Sequence, residues 1–141
     1  MRGKSIEEFE VGQVDVSRAR TITETDLRNF SGVSGDTNPM HLNEEFARAT
    51  PFKCTIVHGM LSASLISAVI GTKLPGPGCI YMSQTLKFMA PVRIGDTVYA
   101  VATVKSLVPE KHRVVLDTKC YVKDTVVIDG EALIKVPSKS S

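Results

Sequence analysis

From Val57 to Ile70 the chain carries no Asp, Glu, Lys or Arg, and this constrains its fold more than any other feature. The run reads Val-His-Gly-Met-Leu-Ser-Ala-Ser-Leu-Ile-Ser-Ala-Val-Ile and is stopped by Gly71 and Pro75. A helix that is apolar or small on every face has to be buried. Its Ala and Ser residues would let other backbone elements approach closely. The stretch also contains a His and several Ser, and it falls short of the roughly 20 residues that span a bilayer. In a chain of 141 residues, a wholly buried helix needs something wrapped around it.

The second half supplies the wrapping. Residues 80–90, 96–107, 112–123 and 125–136 are rich in β-branched residues, with apolar positions alternating at period two. Val98, Ala100, Ala102 and Val104 share one face of their run; Thr97, Thr103 and Lys105 share the other. Pro109-Glu110-Lys111 and Lys123-Asp124 separate the runs as turns of antiparallel hairpins. Asp129-Gly130 interrupts the last run, and a bulge is expected there because Val126, Ile128, Ala132 and Ile134 keep phase across it. With an early strand near residues 11–20, the expectation is an α+β fold: a curved antiparallel sheet closed over one central helix. One domain over residues 1–137 accounts for the chain, followed by a short disordered tail from about Pro137 to Ser141.

Between the early strand and the buried helix the signals are helical. Thr23-Glu-Thr-Asp26 reads as a capping box with Leu27 and Phe30 behind it, and Asn43 caps a short helix through Phe46 and Ala47. Between these helices lies Gly35-Asp36-Thr37-Asn38-Pro39-Met40-His41. Partners five apart diverge on a regular helix, but a broken loop can aim a carboxylate and an imidazole at one point. Together they can move a proton on and off a bound molecule. The plainer alternative is a turn and a helix start: Asn38 as cap, Pro39 at the first helical position, His41 merely exposed.

Charged residues make up 23% of the chain and the formal net charge is +2, with basic residues scattered, which does not favour nucleic acid as a partner. Cys54, Cys79 and Cys120 are odd in number and widely spaced, so buried free thiols are expected, with no disulfide framework and no zinc site. Glu7, Glu8 and Glu10 near the start do not fit a secretory or transit signal.

Gly35-Asp36-Thr37-Asn38-Pro39-Met40-His41-Leu42, followed by Ile56-Val57-His58-Gly59-Met60, closely resembles the signature of the MaoC-like (R)-specific enoyl-thioester hydratases. Leu74-Pro75-Gly76-Pro77-Gly78, Ser83-Gln84, Phe88, Pro91-Val92 and Ile94-Gly95-Asp96 extend the resemblance, which runs from about residue 10 to residue 137. It implies the hot-dog fold and reversible hydration of a trans-2-enoyl thioester to the (R)-3-hydroxyacyl thioester. The acyl carrier would be coenzyme A or acyl carrier protein. The implied setting is fatty-acid metabolism in the bacterial cytoplasm or, for a eukaryotic source, the mitochondrial matrix.

The resemblance assigns Asp36 and His41 to a shared water, which makes the addition syn. The amide of Gly59, at the head of the buried helix, would hold the charge growing on the thioester oxygen. By family position Ser67 would hydrogen-bond the catalytic Asp. Asn38 would hold the loop, and His58 would support it or be a satisfied core histidine. Met60, Leu61, Leu65, Met82 and Phe88 are candidates for an acyl tunnel or for plain core. Neither metal nor cofactor is required, and a homodimer joined through sheet edges is expected. Two rival functions share the fold. A thioesterase would normally place a carboxylate on the central helix, and residues 58–70 contain none. A non-catalytic acyl-binding domain would have little use for both Asp36 and His41.

Overall fold

The structure, a computed structural model, describes residues 4–138. Strands β1 (Val14–Val16) and β2 (Arg20–Thr21) precede helices α1 (Glu24–Ser34), α2 (Pro39–Leu42), α3 (Glu44–Arg48) and α4 (Gly59–Thr72). Strands β3 (Ile80–Gln84), β4 (Lys87–Phe88), β5 (Thr97–Val108), β6 (Arg113–Val122) and β7 (Thr125–Lys135) follow. All pairings are antiparallel, in the order β1-β5-β6-β7-β3, with β2 extending the β5 edge and β4 the β7 edge. This is the α+β, helix-in-curved-sheet arrangement expected from the sequence.

Alternation explains the packing. Val98, Ala100, Ala102 and Val104 of β5 are all buried, as are Val114, Leu116, Thr118 and Cys120 of β6. They meet Ala63, Ile66, Val69 and Ile70 of α4 in one core. Alanines in β5 lower the sheet surface where the helix rests, so close approach costs no strain.

α4 departs from the sequence expectation on one side. Met60, Ser64, Ser67, Ala68 and Gly71 form an exposed stripe, so a single chain buries the helix only on its sheet-facing side. One sheet curls around part of a cylinder, and the uncharged stripe lies on the remainder.

β7 also departs in detail. Asp129-Gly130 is neither a turn nor the bulge. The extra residue is Val127, since Cys120 pairs with Ile128 while Tyr121 pairs with Val126. Val127 and Ile128 are consequently both buried, and the phase holds only from Ile128 to Ile134. Gly130 has a different role. A Cβ there would lie 1.9 Å from the Thr85 carbonyl oxygen, so only glycine lets the β3–β4 kink cross β7.

The expected tail is ordered as far as described. Ile6 N–H donates to Pro137 O at 2.7 Å, and Ser138 is buried with its hydroxyl 3.2 Å from a Glu7 carboxylate oxygen. The N-terminal turn over Ile6–Glu8 covers this end, which places Ser138 with the domain; residues 139–141 lie outside the described set. Of the thiols only Cys120 is buried, pushed up to about 12 by desolvation; Cys54 and Cys79 are half-buried. No described helix is long and apolar enough to cross a membrane.

Candidate active site

The site is assembled from three caps and one bridging segment. α1 begins on its capping box: Asp26 N–H donates to Thr23 Oγ1 at 3.2 Å, and Thr23 N–H to Asp26 Oδ2 at 2.9 Å. It buries Leu27 and Ser31 and ends on Gly35, whose φ of 78° turns the chain sharply. Asp36 therefore leaves the helix end at an angle, with its Oδ1 accepting the Asn38 N–H at 3.2 Å. Asn38 Oδ1 in turn accepts the Met40 N–H at 3.1 Å and starts α2, with Pro39 in the first turn. The cap-and-turn alternative is thus correct as local structure, and it is also the device that points Asp36 and His41 together.

Ile56 fixes the imidazole. Its N–H donates to Met40 O at 3.3 Å, and its carbonyl receives His41 Nδ1–H at 2.8 Å. A carbonyl can only accept, so Nδ1 carries the proton and Nε2 of the neutral ring is a free lone pair. Val57 N–H bonds Val92 O at 2.7 Å, tying the same segment to the chain ahead of β5.

His58 lies under this pair. Its ring stacks on His41 with centroids 3.9 Å apart, and it is 1% exposed. Its Nε2 donates to the Asp36 carbonyl at 3.2 Å, with Ser31 Oγ at 3.1 Å sharing the contact. Burial holds this imidazole below the ordinary histidine range, with the Asp36 carbonyl opposing. A neutral ring can brace both partners without adding a charge beside them.

Asp36, His41 and His58 each bring a ligand-capable atom within 4.8 Å of the others. A cation there would have to bind the same atoms that a shared water would use.

The three open onto a cavity of about 530 Å³ lined by Gly59, Met60, Ser62, Phe88, Met89 and Val127, among others. Its walls are largely apolar. Gly59 heads α4, and its N–H makes no hydrogen bond within the described chain. The Phe88 ring lies over it: a Cβ on Gly59 would sit 2.5 Å from Phe88 Cε1.

A MaoC-like domain model matches residues 8–130. The chain belongs to the MaoC-like family. It is 57% identical over 133 residues to the (R)-specific enoyl-CoA hydratase of Rhodospirillum rubrum, covering 94% of this chain and 92% of that one. It is 52% identical to the 3-hydroxybutyryl-CoA dehydratase of Methylorubrum extorquens, covering 94% and 84% respectively. The solved unliganded R-hydratase of Pseudomonas aeruginosa superposes with a TM-score of 0.89 at 45% identity, over 97% of this chain and 88% of that one.

Among the residues singled out in the MaoC-like sequence, Asp36, His41, His58 and Gly59 line one cavity, and Asn38 holds their loop. Ser67 does not join them within one chain. It is eight residues beyond Gly59, about 12 Å along the axis, and it faces outward on the exposed stripe. The bond to Asp36 implied by its family position is not made here. Of the tunnel candidates, Met60 and Phe88 line the cavity, whereas Leu61 and Leu65 pack on the core and Met82 is exposed at the sheet edge. Sequence reasoning missed Ser31, Met89 and Val127. None carries a local signal, because each reaches the site through register and helix packing.

Proposed function

We propose that this protein reversibly hydrates trans-2-enoyl thioesters to (R)-3-hydroxyacyl thioesters, with the acyl group carried on coenzyme A. One observation carries the reading. The Asp36 carboxylate and a ring nitrogen of His41 lie within 4.8 Å of one another, and the Ile56 bond to Nδ1 leaves Nε2 as the proton acceptor. Both residues line an apolar cavity with Gly59, whose N–H has no partner among the described residues. A water held by both acceptors attacks C3 of the enoyl group. One of its protons passes to the pair, and the pair returns a proton to C2 on the same face. Charge moves onto the thioester oxygen during attack, and the Gly59 amide at the positive end of α4 stabilises it there. Collapse of that charge back to C2 completes the addition of one water, with no cofactor or metal in the scheme. The R configuration is supported by the (R)-specific enoyl-CoA hydratase at 57% identity, and the coenzyme A carrier by that relative and by the 3-hydroxybutyryl-CoA dehydratase at 52%.

Crotonyl-CoA supplies the test. Loss of the conjugated thioester absorbance without thiol release supports hydration, whereas thiol release would mean a thioesterase and no change a binding domain. Rates on matched acyl carrier protein thioesters decide the carrier.

The reading includes a homodimer. β3 is an edge strand whose Ile80, Tyr81 and Met82 are exposed, and Phe88 and Met89 beside it are exposed as well. An apolar, unpaired edge of this kind invites a second copy. Light scattering at twice the chain mass is expected; monomer mass would contradict it.

A further inference from the structure

Ala49 to His58 join α3 to α4 outside any helix or strand, yet this segment carries the Ile56 carbonyl that receives His41 Nδ1–H. Connections of this kind ordinarily move more than the elements they join. Thr55, one residue before Ile56, is 5% exposed, and its hydroxyl donates to Glu44 Oε1 at 2.5 Å. Its N–H points at the same oxygen at 3.4 Å. A hydroxyl-to-carboxylate bond of that length is charge-assisted and about twice as strong as a neutral one. By comparison, Ile56 N–H reaches Met40 O at 3.3 Å. The Thr55 hydroxyl and amide hold the Glu44 carboxyl below the usual carboxylate range, so the tie favours the anion. Glu44 itself is exposed, in the first turn of α3. His41, Glu44 and Thr55 also line a small second cavity of about 80 Å³, so packing does not enclose His41 on that side. Orientation of the imidazole is left to its hydrogen bond and to the His58 stack.

We propose that Glu44 is a positioning residue for the hydration: by clamping Thr55 it holds the Ile56 carbonyl against His41 Nδ1 and keeps Nε2 free to accept a proton. The proposal rests on the hydratase reading and adds to it a residue outside the acyl cavity. A neutral histidine free in water favours the tautomer with its proton on Nε2. In that form His41 would donate toward the shared water instead of accepting from it. The Ile56 carbonyl reverses the preference, because only an Nδ1–H can meet it. A carbonyl on an untied connection would hold that proton for only part of the time. Glu44 and Thr55 are not among the residues lining the acyl cavity. Loss of the clamp therefore spares substrate affinity and slows the chemical step.

Glu44→Ala and Thr55→Val test the clamp, with Glu44→Gln and Thr55→Ser as conservative partners that keep an acceptor and a hydroxyl. Steady-state rates on crotonyl-CoA are measured together with long-range nitrogen–proton NMR spectra of the labelled protein, which report which ring nitrogen of His41 carries the proton. The expected result is kcat lowered about tenfold in Glu44→Ala and in Thr55→Val, the worth of one charge-assisted hydrogen bond, with KM within about twofold of wild type. The spectra should place the proton on Nδ1 in the wild type and move it towards Nε2 in these two variants. Glu44→Gln and Thr55→Ser should recover most of the rate and the wild-type tautomer. Glu44 is exposed, so Glu44→Ala decides the matter if Thr55→Val fails to fold. A wild-type kcat in Glu44→Ala, or a slowed Glu44→Ala whose His41 keeps its proton on Nδ1, overturns the clamp. Should the wild type not hydrate crotonyl-CoA, the hydratase reading falls, and the spectra still decide whether Glu44 sets the His41 proton.

Discussion

Replacing Asp36 by Asn tests the core of the mechanism with little disturbance of the fold. Asp36 is exposed, and among the described residues its side chain makes one hydrogen bond, Oδ1 accepting Asn38 N–H. Asn keeps an oxygen for that bond, so the Gly35–Asn38 turn should survive and stability should stay within about 0.5 kcal/mol, as for an ordinary surface change. The second carboxylate oxygen becomes an amide nitrogen, which donates where the water needs an acceptor. General acid–base assistance of this kind is worth about 10²–10⁴-fold, or roughly 3–5 kcal/mol of barrier. His41→Asn is the matched change, since the shorter amide can still donate to Ile56 O in place of Nδ1 while removing Nε2. Each variant should therefore hydrate crotonyl-CoA 10²–10⁴-fold more slowly, with a melting midpoint close to wild type. On the proposed mechanism the two groups hold one water, so the double variant should be scarcely slower than the worse single one, as expected of residues acting as a unit. Near-normal turnover in either single variant, or fully multiplicative losses in the double, would refute the shared-water assignment.

Gly59→Ala should be slowed by about 10²–10³-fold, because its Cβ would press 2.5 Å from the Phe88 ring and displace the thioester from the amide; steady-state rates check this. Gly130→Ala should cost upwards of about 2 kcal/mol, since the clash at 1.9 Å is with the Thr85 backbone and not with a movable side-chain end; urea titration reads the loss. For His58 the sign follows from desolvation, which lowers its folded-state affinity for a proton below that of the unfolded chain. Its contribution to stability is full above about pH 6.5 and declines as pH falls below that value. Melting midpoints of the wild type should drop through this window more steeply than those of His58→Gln.

Periodicity and punctuation made much of the fold legible. Alternation at Val98, Ala100, Ala102 and Val104 assigned the inner face of β5 correctly, because a pleated strand has no other way to bury those side chains against α4. The capping residues Thr23, Asn38 and Asn43 marked three helix starts for an equally local reason: a side-chain oxygen three or fewer residues away meets an orphan N–H. Asp36 and His41 could be named because a short, specific motif contains both. Val127 as the bulge, Thr85 crossing Gly130 and the exposed stripe on α4 were not legible, since each depends on where one strand or helix lies against another.

The amino-acid order alone determined the element types, the central helix and the pairing of Asp36 and His41 proposed to move protons, all properties of contacts within a few residues. Tertiary structure decided that His58 stacks beneath His41 and bonds the Asp36 carbonyl 22 residues back, and that Phe88 rests on Gly59. It also decided that Ser67 stands on the open face of α4, away from the cavity. A chain can encode a cap or a strand face locally. It cannot show, by spacing, which distant surfaces meet once a curved sheet has closed over a helix, because that meeting is fixed by the packing of all of them together.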